Sequence, residues 1–288
     1  MLQFSLMILD QVHKCGFELL KKINEIFGTQ DMTVGKPMSN LLKFSIPLLI
    51  GNFAQQLYST VDSIIVGRYV GDTALSAIGT TLPVLRLLLV LFMAISTGTG
   101  VMVAQYFGAK DRQTLSRSIG NSMTLIFVSS LVIMAIGIPW ADSLLRLTNT
   151  PVETFALARS YLVIMLWGTM FSGFYNIGAG VLRGLGNSVY PLMVLLLASF
   201  LNVVLDIWFV ARLNMSVAGA ALATIISQAV SAALCLVKLA RMKDVVDINR
   251  SNLKPDKKLA EPTAQVGVAR RDYQRHLFYV SRVCAGSG

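Results

Sequence analysis

Residues 78–107 read IGTTLPVLRLLLVLFMAISTGTGVMVAQYF, with Arg86 as the one charge. A bilayer core about 30 Å thick takes roughly 20 residues of helix, so this stretch is long and apolar enough to cross it. Runs of similar size occur at about 40–66, 117–139, 155–182, 190–211 and 216–240. Glycine, proline, asparagine or charge bounds each one, as in GRYVGD, GAKDRQ, IPWADS, LRGLGNS and ARLNMS. An open sheet leaves backbone groups unsatisfied in lipid, so all six are read as helices. The expected fold is an all-α membrane protein with six transmembrane helices.

Composition points the same way. The 288 residues are 54% hydrophobic and 14% charged, with a mean hydropathy of +0.63, whereas soluble domains average about 25% charged. The net charge of +10 could fit nucleic acid, but the basic residues lie in short clusters between apolar runs. Membrane lipid is therefore the expected surrounding, with no nucleic-acid partner. With the N-terminus inside, one side carries Lys36, Lys43, Lys110, Arg112, Arg117, Arg183, Lys238, Arg241 and Lys243. The other side carries Arg68, Arg86, Arg146, Arg159 and Arg212. By the positive-inside rule, both termini are expected in the cytoplasm of a multi-pass plasma-membrane protein.

The six-span region, 38–241, has polar flanks. Residues 1–37 form a cytoplasmic extension, read either as an interfacial amphipathic helix or as sequence upstream of a start at Met32 or Met38. Residues 242–260 read as a cytoplasmic linker. Residues 261–288 show neither helical nor strand periodicity and read as a disordered or out-of-frame tail.

Little points to catalysis. Cys15, Cys235 and Cys284 have no paired spacing, and His13 and His276 lie outside the apolar runs. A rhomboid-like protease has only the MFSGF serine at 170–174 to stand on. No catalytic residue, cofactor or metal centre is expected, and the chain is not read as an enzyme.

Two acids do lie within spans, Asp62 and Asp206. At a helix centre such a charge costs about 2.5–3.5 kcal/mol on insertion scales, and it marks a functional site by default. The structural alternative is that each caps a neighbouring helix. Gln55, Tyr58 and Asp62 are three and four apart and share one helix face, as do Asn202 and Asp206. Spans one and five run in the same direction, so both aspartates fall in the outer leaflet. Thr224, some eight residues into span six, is level with them. These six polar groups are expected to converge in an outward-facing cavity. A carboxylate in low dielectric takes up a proton more readily and can release it when a cationic substrate arrives. The same oxygens suit Na⁺, and the residues alone leave proton and sodium open.

Pro47 and Pro191 each precede an aspartate by fifteen residues. Proline frees a carbonyl and kinks a helix, so both are expected to be hinges. TGTGVMVAQ at 97–105 echoes NIGAGVLRG at 176–184, and their small residues are read as close-packing surfaces.

The pattern P…Q..Y…VDSIIVGRYVGDTALSAIG in span one resembles the first helix of the multidrug and toxic compound extrusion (MATE) family. STGTGVMVAQYFGAKD, GVLRGLGNSVYP, LNVVLDIWFV and VAGAALATIISQ extend the resemblance over about residues 38–258. The resemblance implies twelve helices in two six-helix lobes, of which this chain carries the N-terminal one. It implies alternating-access antiport, with H⁺ or Na⁺ entering and organic cations, drugs or metabolites leaving. It also implies a cation site at Gln55, Tyr58, Asp62, Asn202, Asp206 and Thr224, and a first helix that bends at Pro47.

The chain departs from the family after NLKPDKKLA, where the apolar character ends. A frameshift or misassembly near Ala260 is expected, with transport requiring a second six-helix half or two such halves pairing as a dimer. Two other readings are a lipid-linked oligosaccharide flippase, against which the sparse arginines within the spans count, and a non-transporting remnant or partner subunit.

Overall fold

In the computed structural model, residues 37–242 are described, with side chains from Ser45 onward except those of Ala54 and Tyr58. The expected N-terminal extension, linker and tail fall on residues 1–36 and 243–288, outside the described region. Every described element is helical: α1 Pro37–Tyr69, α2 Asp72–Gly108, α3 Arg112–Gly137, α4 Ala141–Leu147, α5 Val152–Gly184 and α6 Val189–Asp206. A π-helical turn, Ile207–Arg212, follows α6 directly, and α7 spans Ser216–Arg241.

Among the described residues, five helices are long and apolar enough to cross a membrane: α2, α3, α5, α6 with its π turn, and α7. The first expected span, 40–66, corresponds to α1, which is less apolar than the other five. At 33 residues it is about 50 Å long, but Asn52, Gln55, Gln56, Ser59, Thr60 and Asp62 dilute its apolar character. The sequence reading missed α4, whose seven residues, ADSLLRL, are too short to show a period.

Local chemistry sets the helix ends. Asp111 accepts the Thr114 N–H at 3.1 Å, capping α3, and Lys110 beside it turns the chain with φ 58°. Hydrogen bonds from Thr114 hold the exposed Asp111 carboxyl below its ordinary value. Between α5 and α6, Gly186 takes φ 83°, a left-handed conformation that suits glycine. Asn187 Oδ1 then accepts the Tyr190 N–H at 3.0 Å.

α5 is the central helix and packs on α2, α7 and α3, while α6 lies against α7 and α1 leans chiefly on α6. Lipid gives helices no hydrophobic reason to associate, so close packing and hydrogen bonds must hold them. The two echoing segments do this by crossing each other. A Cβ on Gly100 would come 3.1 Å from Gly180 O, and one on Gly184 would come 2.5 Å from Gly100 O. Ser96 Oγ donates to Asn176 O across the same crossing at 2.5 Å.

The two prolines differ in place. Pro47 lies inside α1, which continues as one helix through it. Pro191 is the third residue of α6, where a backbone N–H has no intrahelical acceptor to lose. Its proposed hinge role is therefore withdrawn: a proline in the first turn neither breaks a hydrogen bond nor bends the helix.

Candidate functional site

α1 and α6 bring the two membrane aspartates together. Asp62 lies in the last third of α1, and Asp206 is the final α-helical residue of α6. Their carboxyl groups lie near enough to act on each other electrostatically. Asp206 and Asn202, one turn before it, are both fully buried at 0% exposure. Oδ1 of each aspartate is buried and has no hydrogen-bond partner.

Asn202 joins this pair to α7. With its amide turned so that both ends are satisfied, it donates to Asp206 Oδ2 at 2.7 Å and accepts from the Thr224 N–H at 3.1 Å. Thr224 is buried, and its hydroxyl donates to the Ala220 carbonyl at 3.0 Å. Asp62, Asn202, Asp206 and Thr224 thus form one contiguous polar cluster drawn from three helices. Gln55 stands apart from it, two turns along α1 with an exposed side chain. Tyr58 shares that helix, but its side chain is outside the described residues.

Two features of the site were absent from the sequence reading. Ser227 is 3% exposed and its hydroxyl has no partner. It lies three residues after Thr224, a spacing that puts both on one face of α7 and could have revealed it. The other is the π turn. Leu213 N–H donates to Trp208 O and Met215 N–H to Phe209 O, both at 3.0 Å, in place of the α-helical pattern. π segments are rare and are often found at functional sites; this one begins at the residue after Asp206. Gly219 of α7 packs against it, and a Cβ there would sit 3.0 Å from Phe209 Cβ.

A cavity of about 40 Å³ lies between α2, α5 and α7, lined by Leu85, Leu88, Phe92, Thr169, Ser172 and Gln228 among others. Its size and three polar side chains are sufficient for water. Gln228 is one turn from Thr224 on α7. Among the described residues, no three His, Cys, Asp or Glu side chains gather as a metal site would require. The polar groups of the cluster are carboxyl, amide and hydroxyl groups.

Known proteins share this architecture. The chain is 32% identical over 201 residues to "Probable multidrug resistance protein YpnP" of Bacillus subtilis, covering 70% of this chain and 45% of that one. It is 27% identical over 232 residues to "Multidrug export protein MepA" of Staphylococcus aureus, covering 79% and 51%. A solved structure described as the outward-facing conformation of a multidrug resistance MATE family transporter superposes with a TM-score of 0.77 at 30% identity, covering 84% of this chain and 53% of that one. The chain spans about half the length of the relatives it matches. The MatE family model matches residues 47–208, a segment containing both aspartates, Asn202 and the helices that carry them, and the chain belongs to the MATE family of transporters.

Proposed function

We propose that this chain supplies the N-terminal, cation-handling lobe of a multidrug efflux antiporter in the plasma membrane, with both termini in the cytoplasm. Proton uptake at the Asp62–Asp206 pair drives export of organic cations or drugs. The observation carrying this reading is the proximity of the two carboxyl groups, each with one buried oxygen that has no hydrogen-bond partner among the described residues. Two adjacent carboxyl groups, each with a buried oxygen, favour a shared proton over two charges, and proton coupling is the form of the reading put to the test. Asn202 and Thr224 orient the pair and carry no charge of their own. Arrival of a cationic substrate favours the ionised pair, and the proton leaves.

A second half of similar size completes the central cleft and is required for flux. The support for this is the length of the relatives, about twice the matched region. The test uses proteoliposomes loaded with ethidium and given an inward proton gradient, carrying this chain alone or with a complementing six-helix half. Flux is expected only in the second arm, abolished by Asp62→Asn, retained with Lys110→Ala, and insensitive to replacing Na⁺ with K⁺. Flux that follows Na⁺ and ignores pH would reassign the coupling ion. No gradient-driven flux in either arm would overturn the reading.

A further inference from the structure

The ends of α5, α6 and α7 farthest from the carboxyl pair meet at a seam that the efflux reading does not use. Tyr190 opens α6, and its ring is fixed at both ends. The main-chain N–H donates to Asn187 Oδ1 at 3.0 Å, and the phenol donates to the Leu234 carbonyl of α7 at 3.2 Å. Lys238, one turn past Leu234, places its Nζ 5.4 Å from the ring centroid, within cation–π range. Arg241, three residues further along α7, acts electrostatically on the same phenol. The left-handed turn at Gly186 lets the last turn of α5 and the first turn of α6 face the same place.

Two cations of α7 therefore lie beside an aromatic ring of α6. Among the described residues, these helices offer no acid at that end: Glu153 opens α5 and Asp206 closes α6, both at the opposite end. Beyond the ring the surface becomes apolar. Met193 and Leu197 follow Tyr190 at helical spacing on α6, and Val237 adjoins Lys238 on α7; all three are exposed. Basic groups and an aromatic ring at the end of a span, above exposed apolar side chains, match an anionic headgroup with its acyl chains. Basic inter-helix pockets at a membrane surface are suited to this chemistry.

We propose that this seam binds an acidic phospholipid. Lys238 and Arg241 hold the headgroup phosphate over Tyr190, and the acyl chains lie along Met193 and Leu197. The proposal does not depend on the efflux reading.

The test places the full chain in nanodiscs of phosphatidylcholine with a minor share of phosphatidylglycerol, and reads co-purifying lipid by native mass spectrometry. Wild type is expected to retain phosphatidylglycerol selectively, and K238Q/R241Q to lose that enrichment by about fivefold or more. Lys238→Arg should keep it, as should the opposite-end control R146Q/R212Q. If the double variant fails to fold, K238Q and R241Q are compared singly, each expected to show a partial loss. Equal enrichment in wild type and the seam variants overturns the site. Equal loss in the opposite-end control overturns it as a general charge effect. Displacement of the lipid by excess inorganic phosphate overturns the lipid assignment in favour of a soluble anion.

Discussion

Asn202 bridges Asp206 and Thr224, donating to the carboxyl of one at 2.7 Å and accepting from the backbone N–H of the other at 3.1 Å. A single neutral side chain thus couples the charged residue of α6 to α7. Asn202→Ala removes the donor to Asp206 Oδ2 and leaves a buried acceptor unpaired, which costs about 1–3 kcal/mol. Thermal unfolding of the purified chain should show that loss. An unchanged transition would mean that Asp206 finds another donor.

The α2–α5 crossing predicts a contrast between glycines. A Cβ on Gly184 would meet Gly100 O at 2.5 Å, whereas one on Gly79 meets nothing within 4 Å. Gly184→Ala forces the two backbones apart, and overpacking of that kind costs about 1–3 kcal/mol. Gly79→Ala, in the same helix pair, should be neutral or stabilising by roughly 0.5–1 kcal/mol. Thermal unfolding of the two variants side by side checks the sign of each.

The prolines should separate as well. Pro47→Ala restores a hydrogen bond inside α1 and removes a ring that costs an interior position about 3 kcal/mol. Stability should rise, and gradient-driven flux in the completed transporter should fall if bending of α1 is part of the cycle. Pro191→Ala, in the first turn of α6, should move stability by no more than about 0.5 kcal/mol and leave flux unchanged. Equal effects from both changes would contradict the distinction between an interior and a first-turn proline.

The α3 cap gives a pH dependence outside the membrane. The folded Asp111 carboxyl titrates below its ordinary value of 3.8 because Thr114 hydrogen-bonds to its charged form. Its contribution is therefore present above that ordinary value and is lost as pH falls through the folded one. Asp111→Asn keeps an acceptor that does not titrate, so its thermal transition should fall less than that of wild type on acidification. Parallel curves would show that the cap does not sense pH.

The sequence revealed much of this arrangement. Hydrophobic runs located the long helices to within six residues at each end, and span direction put Asp62, Asn202, Asp206 and Thr224 at one depth. α1 has the length but not the apolarity of the other spans, because polar residues line the helix face that carries Asp62 of the carboxyl pair. The sequence treated Pro191 as equivalent to Pro47, since spacing to an aspartate does not reveal where a helix begins. α4 and the π turn stayed hidden for different reasons: one is too short for a period, and the other is a hydrogen-bond register that side-chain pattern does not encode. Ser227 was legible from its spacing to Thr224, although its lack of a partner depends on packing that only the fold creates.

The π turn after Asp206 gives the pair a way to separate that needs no hinge. Such a turn winds in one residue more than an α turn, and the surplus can migrate along the chain. If it moved one peptide toward Asn202, Asp206 would swing by about 100° around the axis of α6 and leave the face that meets Asp62. Gly219, with no side chain of its own, is what lets α7 pack closely on the turn. The two acids could then engage and disengage like the tooth and notch of a ratchet, with both helices still straight.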